Sequence, residues 1–218
     1  MSRFESLLNE TPNAPAVRGF LHRPDGPAGG GLVLTHGAGS NSNAPLLVAV
    51  ADVFAGSGFL VLRCDLPFRQ ARPHGPPLGS GAQDRAGLRR AAGLLRELTP
   101  GRLLIGGHSY GGRQASMLAA EDPAVADGLL LLSYPLHPPK RPEQLRTAHF
   151  AKLQTPAVFV HGSRDPFGSL EEMREAASVI PAPVEIVEIE GAAHDLGRRD
   201  YDQVGRRALA ALTRLAAL

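Results

Sequence analysis

Short runs of Val, Leu and Ile alternate along the chain with longer stretches whose apolar residues recur at helical spacing. Residues 16–22 and 31–35 read as strands, separated by a Gly/Pro turn over 24–30. Residues 44–55 place Leu47, Val50, Ala51 and Phe54 on one helical face, and Gly56–Gly58 end that helix. A strand over 58–63 follows, then a helix over 83–98 that buries Leu88, Ala91, Ala92 and Leu95. Further strands are expected at 102–106, 127–133, 157–161 and 184–189, and helices at 111–120, 170–179 and 200–218. A Pro-rich link at 135–141 leads into a short helix expected over Pro142–Phe150. Continuous apolar strands alternating with helices predict an α/β fold, a mostly parallel sheet covered on both faces.

The 218 residues show neither an internal repeat nor a shift in composition, so one domain over 1–218 is expected. A hydrophobic fraction of 43% and a charged fraction of 20% belong to a globular chain with a substantial core. The formal net charge of +2 is too small to argue for a nucleic-acid surface. Only Lys140 and Lys152 among the 23 basic residues are lysines, a bias that points to a GC-rich coding sequence rather than to a function. Cys64 is the single cysteine, which excludes an intrachain disulfide and suits a reducing compartment. The N-terminal residues show no apolar stretch of a signal sequence, and no apolar run approaches the ~18 residues of a membrane span. A cytoplasmic protein is therefore expected, with no membrane or nucleic-acid partner.

The chemistry begins at residues 107–112. The strand 102–106 runs into Gly107-His108-Ser109-Tyr110-Gly111-Gly112, which opens a helix. This G-x-S-x-G pattern sits at a strand-to-helix turn, where a tight bend exposes the serine hydroxyl above the sheet and leaves little room for side chains at the flanking positions. The helix N-terminus behind Ser109 favours developing negative charge. Through this elbow the chain resembles the α/β-hydrolase superfamily over nearly its whole length, and within it the small lidless dienelactone-hydrolase-like group. Thr35–Asn41 (THGAGSN) and Arg63–Arg69 (RCDLPFR) are similar to one branch of it, the hydrolase-like domain shared by the Tex and KANSL proteins. True dienelactone hydrolases carry cysteine at the elbow, so their particular substrate does not carry over to Ser109.

The resemblance implies a nucleophile, an acid and a histidine in that chain order. His194, in Gly191-Ala192-Ala193-His194-Asp195 after the last strand, resembles the family's histidine loop and is the expected base. Asp165, in the turn Gly162-Ser163-Arg164-Asp165-Pro166, resembles the family's acid and would fix the imidazole tautomer. Asp195 is the competing acid, but adjacent side chains rarely aim at each other. By analogy the oxyanion hole draws its N–H donors from Tyr110 and from Ala38 in His36-Gly37-Ala38-Gly39.

Arg63, Arg69, Arg72 and His74 cluster around the Pro-rich loop 65–77, at the sheet edge where the site must lie. Arg69 and Arg72 are the candidate substrate-binding residues for an anionic ester or thioester, set against a solvated Arg-rich surface. Cys64 reads as a buried apolar residue. Metal-ligand spacings and a phosphate-loop lysine are both absent from the sequence, so no metal, nucleotide or flavin is expected. The link between strands 127–133 and 157–161, about two dozen residues, is too short for an independently stable lid and implies an open site for a small acyl substrate. The expected activity is cleavage of small carboxylic esters or thioesters through an acyl-enzyme on Ser109. A peptidase or C–C hydrolase using the same residues, and a non-catalytic interaction domain, are the alternatives, and the oligomeric state is left open.

Overall fold

The strands assemble into one eight-stranded sheet in the order β1-β2-β4-β3-β5-β6-β7-β8. They are β1 (Phe4–Asn9), β2 (Val17–His22), β3 (Gly30–Thr35), β4 (Phe59–Cys64), β5 (Arg102–His108), β6 (Gly128–Leu132), β7 (Ala157–Gly162) and β8 (Val184–Ile189). The structure, a computed structural model, describes residues 4–197 and 200–215. β1 pairs antiparallel with β2, and β2 antiparallel with β4; every other neighbour is parallel. All the parallel strands therefore end at one edge of the sheet, and their C-terminal loops meet there.

Period-two alternation divides the core between the two faces. Leu32, Leu34, Val61, Leu104, Leu130 and Val158 pack beneath α1 (Pro45–Gly56) and α6 (Tyr201–Arg214), against Leu47, Phe54, Ala208 and Leu212. Val33, Leu62, Ile105, Leu131 and Phe159 point the other way, toward α3 (Ala82–Leu98), α4 (Tyr110–Glu121) and α5 (Leu170–Ala177). Ser169 opens α5 with a capping box: its hydroxyl accepts from the Glu172 N–H while the Glu172 carboxylate reaches back to the Ser169 N–H.

Three segments depart from the sequence pattern. β1 is an edge strand whose residues stay largely exposed, so it carries no clean alternation; its backbone is held by register pairing from Phe4 opposite His22 to Asn9 opposite Val17. The Pro-rich loop contains a short helix, α2 (Pro67–Ala71), started by proline at its first position. The helix expected over Pro142–Phe150 does not form. Its N–H groups are spent differently: Arg146 donates across the link to the Leu136 carbonyl at 2.8 Å, and Phe150 to Thr147 at 2.8 Å. Only a single 3₁₀ turn, Phe150–Lys152, follows. The last helix, expected to run to residue 218, spans Tyr201–Arg214, and residues 216–218 lie outside the described residues. No helix among the described residues is long and apolar enough to cross a membrane.

Candidate active site

β5 delivers Ser109 at the sheet's C-terminal edge. Ser109 adopts φ 51° and ψ −114°, a backbone region that few non-glycine residues occupy and that surrounding structure must enforce. The enforcement is visible on both sides. The Ser109 N–H donates to the Leu132 carbonyl at the end of β6 (2.8 Å), and its own carbonyl accepts from Arg113 in the first turn of α4 (3.0 Å). A Cβ on Gly107 would lie 2.2 Å from the Thr35 carbonyl oxygen, and one on Gly111 2.5 Å from Thr35 Oγ1. Glycine at these two positions is what lets β3, β5 and α4 close on one another around the serine.

Three distant segments converge on the serine hydroxyl. His194 Nε2 lies 2.8 Å from Ser109 Oγ, and His194 Nδ1 lies 2.8 Å and 3.0 Å from the two carboxylate oxygens of Asp165. Because a carboxylate accepts, Nδ1–H donates to Asp165, which leaves Nε2 free to accept the serine proton. The Asp165 side chain is fully buried beneath the imidazole and also accepts the Phe167 N–H at 2.9 Å. Asp195, the competing acid, instead accepts the Gly197 N–H at 3.3 Å. The order hydroxyl–imidazole–carboxylate is a geometry suited to moving a proton off Ser109 and stabilising the resulting imidazolium.

Two aromatic rings brace the imidazole. Phe167, two residues beyond Asp165, lies against His194 with ring centroids 4.2 Å apart. His108, directly before Ser109, donates Nε2–H to the His194 carbonyl (2.9 Å), and burial holds its own pKa below the usual imidazole value. Neither residue is singled out by the sequence. The position beside the elbow serine was the available signal for His108, whereas nothing in the sequence marks Phe167.

The loop after β3 lies across the nucleophile. A Cβ on Gly37 would sit 3.0 Å from His108 Nδ1 and 3.5 Å from Ser109 Cβ, so the loop that carries Ala38 passes beside the nucleophile. The Tyr110 N–H is in the first turn of α4, where no carbonyl of the same helix can accept it. His36 is fixed beneath this loop. Its Nε2 accepts the Leu66 N–H at 3.1 Å, its Nδ1 is 2.9 Å from the Gly37 carbonyl, and burial lowers its pKa. Tyr110 sends its hydroxyl to Asp84 (2.7 Å), whose other oxygen accepts the Phe68 N–H (2.9 Å), tying α2, α3 and α4 together behind the serine. Burial raises the Tyr110 phenol, so it is a neutral donor.

Arg69 takes a different place from the one its sequence suggests. It is 5% exposed, and its guanidinium faces inward. Nε donates to Ser40 O, one terminal nitrogen to Arg72 O and Pro73 O, and the other to Ala38 O and Gly75 O, at 2.7–3.2 Å. With five N–H groups committed to five carbonyls, Arg69 has none to offer an anionic substrate. It pins the Ala38 loop to the Pro-rich loop instead. Arg72 is exposed and donates to Pro76 O (2.5 Å), on the outer surface of the same loop. Ala38 and Gly39 open onto a cavity of about 350 Å³ lined by this clamp and by Pro73, His74 and Pro76. Cys64 is buried, and burial pushes its thiol up to about 12, which leaves it inert. Among the described residues, no group of three or more His, Cys, Asp or Glu is placed to hold a metal ion.

Comparison with known proteins shows the family and the fold. Residues 29–217 match the family described as an alpha/beta hydrolase domain. The chain is similar to the crystal structure of a dienelactone hydrolase from Anabaena variabilis, with 20% identity, a TM-score of 0.79 and 98% of each chain covered. It is similar to an alpha-beta serine hydrolase homologue from Coxiella burnetii, at 17% identity and a TM-score of 0.77, covering 97% of this chain and 98% of that one. An esterase from Pyrococcus furiosus superposes with a TM-score of 0.77 at 17% identity, covering 98% of this chain and 91% of its own.

Proposed function

We propose that this chain, which belongs to the α/β-hydrolase superfamily, is a single-domain serine esterase acting on small carboxylic esters or thioesters. The observation that carries the reading is the unbroken series Ser109 Oγ, His194 Nε2, His194 Nδ1 and Asp165, with both hydrogen-bonded links as short as 2.8 Å. Ser109 Oγ attacks the acyl carbon as His194 Nε2 takes its proton. The oxygen that becomes negative is met by the N–H groups of Ala38 and Tyr110, and each such donor is worth ~10²–10³ in kcat. His194 returns the proton to the departing alkoxide or thiolate, the C–O or C–S bond breaks, and the acyl group stays on Ser109. Water then attacks the acyl-enzyme, giving one proton to His194, which passes it back to the serine oxygen as the carboxylic acid leaves.

The esterases and the dienelactone hydrolase among the similar structures support this chemistry by analogy of fold. The short link between β6 and β7, which forms no helix longer than one 3₁₀ turn, supports an open site for a small acyl group. Ser109→Ala is expected to lower kcat for p-nitrophenyl acetate by roughly 10³-fold or more, with the fold retained by circular dichroism. Turnover close to wild type would remove Ser109 from the mechanism.

A further inference from the structure

A second cavity, of about 410 Å³, lies on the flank of α4 where the link before β7 crosses it. Its lining concentrates positive charge: Arg113 from α4, and Arg146 and Lys152 from the link. Glu121 is the one carboxylate in its wall, and that carboxylate is engaged by Arg85 at 2.9 Å. Among the described residues, no acidic group lies within ion-pairing distance of Arg113, Arg146 or Lys152. Arg113 Nε is buried without a hydrogen-bond partner there, an uncompensated cost in a folded protein. Burial, and after it the charge of Arg113, lowers the affinity of Arg146 for its proton, so two guanidiniums are held close against their mutual repulsion. His149, in the same wall, is bonded to Ser116 Oγ at 2.8 Å, and burial with Arg113 and Arg85 holds it down to about 4, which makes it a neutral neighbour. Met117 and Leu145 supply an apolar side, with Leu145 left 55% exposed.

We propose that this cavity binds a small organic anion, its carboxylate or phosphate among Arg113, Arg146 and Lys152 and a short apolar body against Met117 and Leu145. An anionic head would relieve the repulsion between the guanidiniums of Arg113 and Arg146. The volume exceeds what a bare ion needs and suits a head group with a few carbons attached. The site shares no lining residue with Ser109, His194 or Asp165, so it stands or falls independently of the esterase reading.

Hexanoate, hexyl phosphate and neutral hexanol, titrated at constant ionic strength into the ¹⁵N-labelled protein, test this. Both anions are expected to move the amide signals of Arg113, Arg146 and Lys152 saturably, the tighter one identifying the preferred head group, while hexanol leaves them in place. Arg146→Gln is expected to weaken the anions by about 10-fold or more with esterase activity unchanged. This variant keeps its fold, because Arg146 is anchored by its backbone, donating N–H to Leu136 O and accepting the Tyr134 hydroxyl. Lys152→Gln, on the exposed rim, is expected to weaken binding less. Hexanol binding as tightly as hexanoate, indifference to Arg146→Gln, or anion-induced shifts confined to the Ser109 loop would each overturn the proposal.

Discussion

At the scale of single residues, Arg69 shows most clearly how structure redirects a sequence signal. Its place in an Arg-rich loop beside the site suggests a grip on substrate, yet every N–H it owns holds a backbone carbonyl, including that of Ala38. Its effect on catalysis should therefore pass through the Ala38 loop, which is proposed to hold the oxyanion. Arg69→Ala is expected to lower kcat about 10–100-fold for neutral and acidic esters alike, with KM little changed. Arg69→Lys should not rescue, because one ammonium cannot reach five carbonyls spread over two loops. A selective rise in KM for acidic esters would instead restore the substrate-binding role. Composition cannot reveal which way a guanidinium points; that depends on carbonyls brought in from Ser40, Ala38 and Gly75. The meeting of Ser109, His194 and Asp165 was legible because each sits in a loop pattern whose chain order a known family shares. His108 and Phe167, which brace the imidazole, carry no such pattern.

At the scale of elements, periodicity served well wherever burial was complete. The strands from β3 to β7 are buried almost throughout, and their runs of Leu, Val and Ile stand out from the flanking glycines and prolines. Where tertiary bonding outweighs local preference the pattern fails. β1 is ordered by pairing with β2 rather than by an apolar face of its own, and α2 is a single proline-started turn within a loop. Residues 142–150 have an acceptable helical spacing, but Arg146 is drawn into a bond with Leu136 that a continuous helix could not make. That bond also sets Arg146 beside Arg113 on α4, so the failed helix and the cationic cavity share one cause.

At the scale of the whole molecule, the sheet order puts the elbow in the middle and the acid and histidine loops on strands to one side, while β1 and β2 close the other. That second edge holds a buried polar chain. Arg63, wholly inaccessible, donates Nε–H to His22 Nε2 (2.7 Å), and His22 Nδ1 meets Asp52 (3.0 Å), with Phe4 and Phe20 covering the guanidinium. Burial, reinforced by Arg63, holds His22 down to about 4 from 6.5, and His149 stands at about the same value. In the unfolded chain both bind a proton near pH 6.5, so between that pH and about 4 the unfolded state holds more protons than the folded one. Stability is then fully present above pH 6.5 and is lost as the pH falls through this window, His22 alone accounting for at most about 3 kcal/mol. The urea midpoint should fall from pH 7 to pH 4.5 and do so less steeply in His22→Gln; a midpoint unchanged over that range would contradict the neutral buried imidazole.

Ester cleavage by this chain requires Ser109 to be a nucleophile that keeps the group it attacks. A fluorophosphonate probe forms a bond to such an oxygen with loss of fluoride and leaves a mass increase readable on the intact protein. One equivalent of adduct is expected, mapping to the peptide that contains Ser109, with none in Ser109→Ala and sharply slowed labelling in His194→Ala. A folded wild-type protein that stays unlabelled, or an adduct on any other residue, would contradict it.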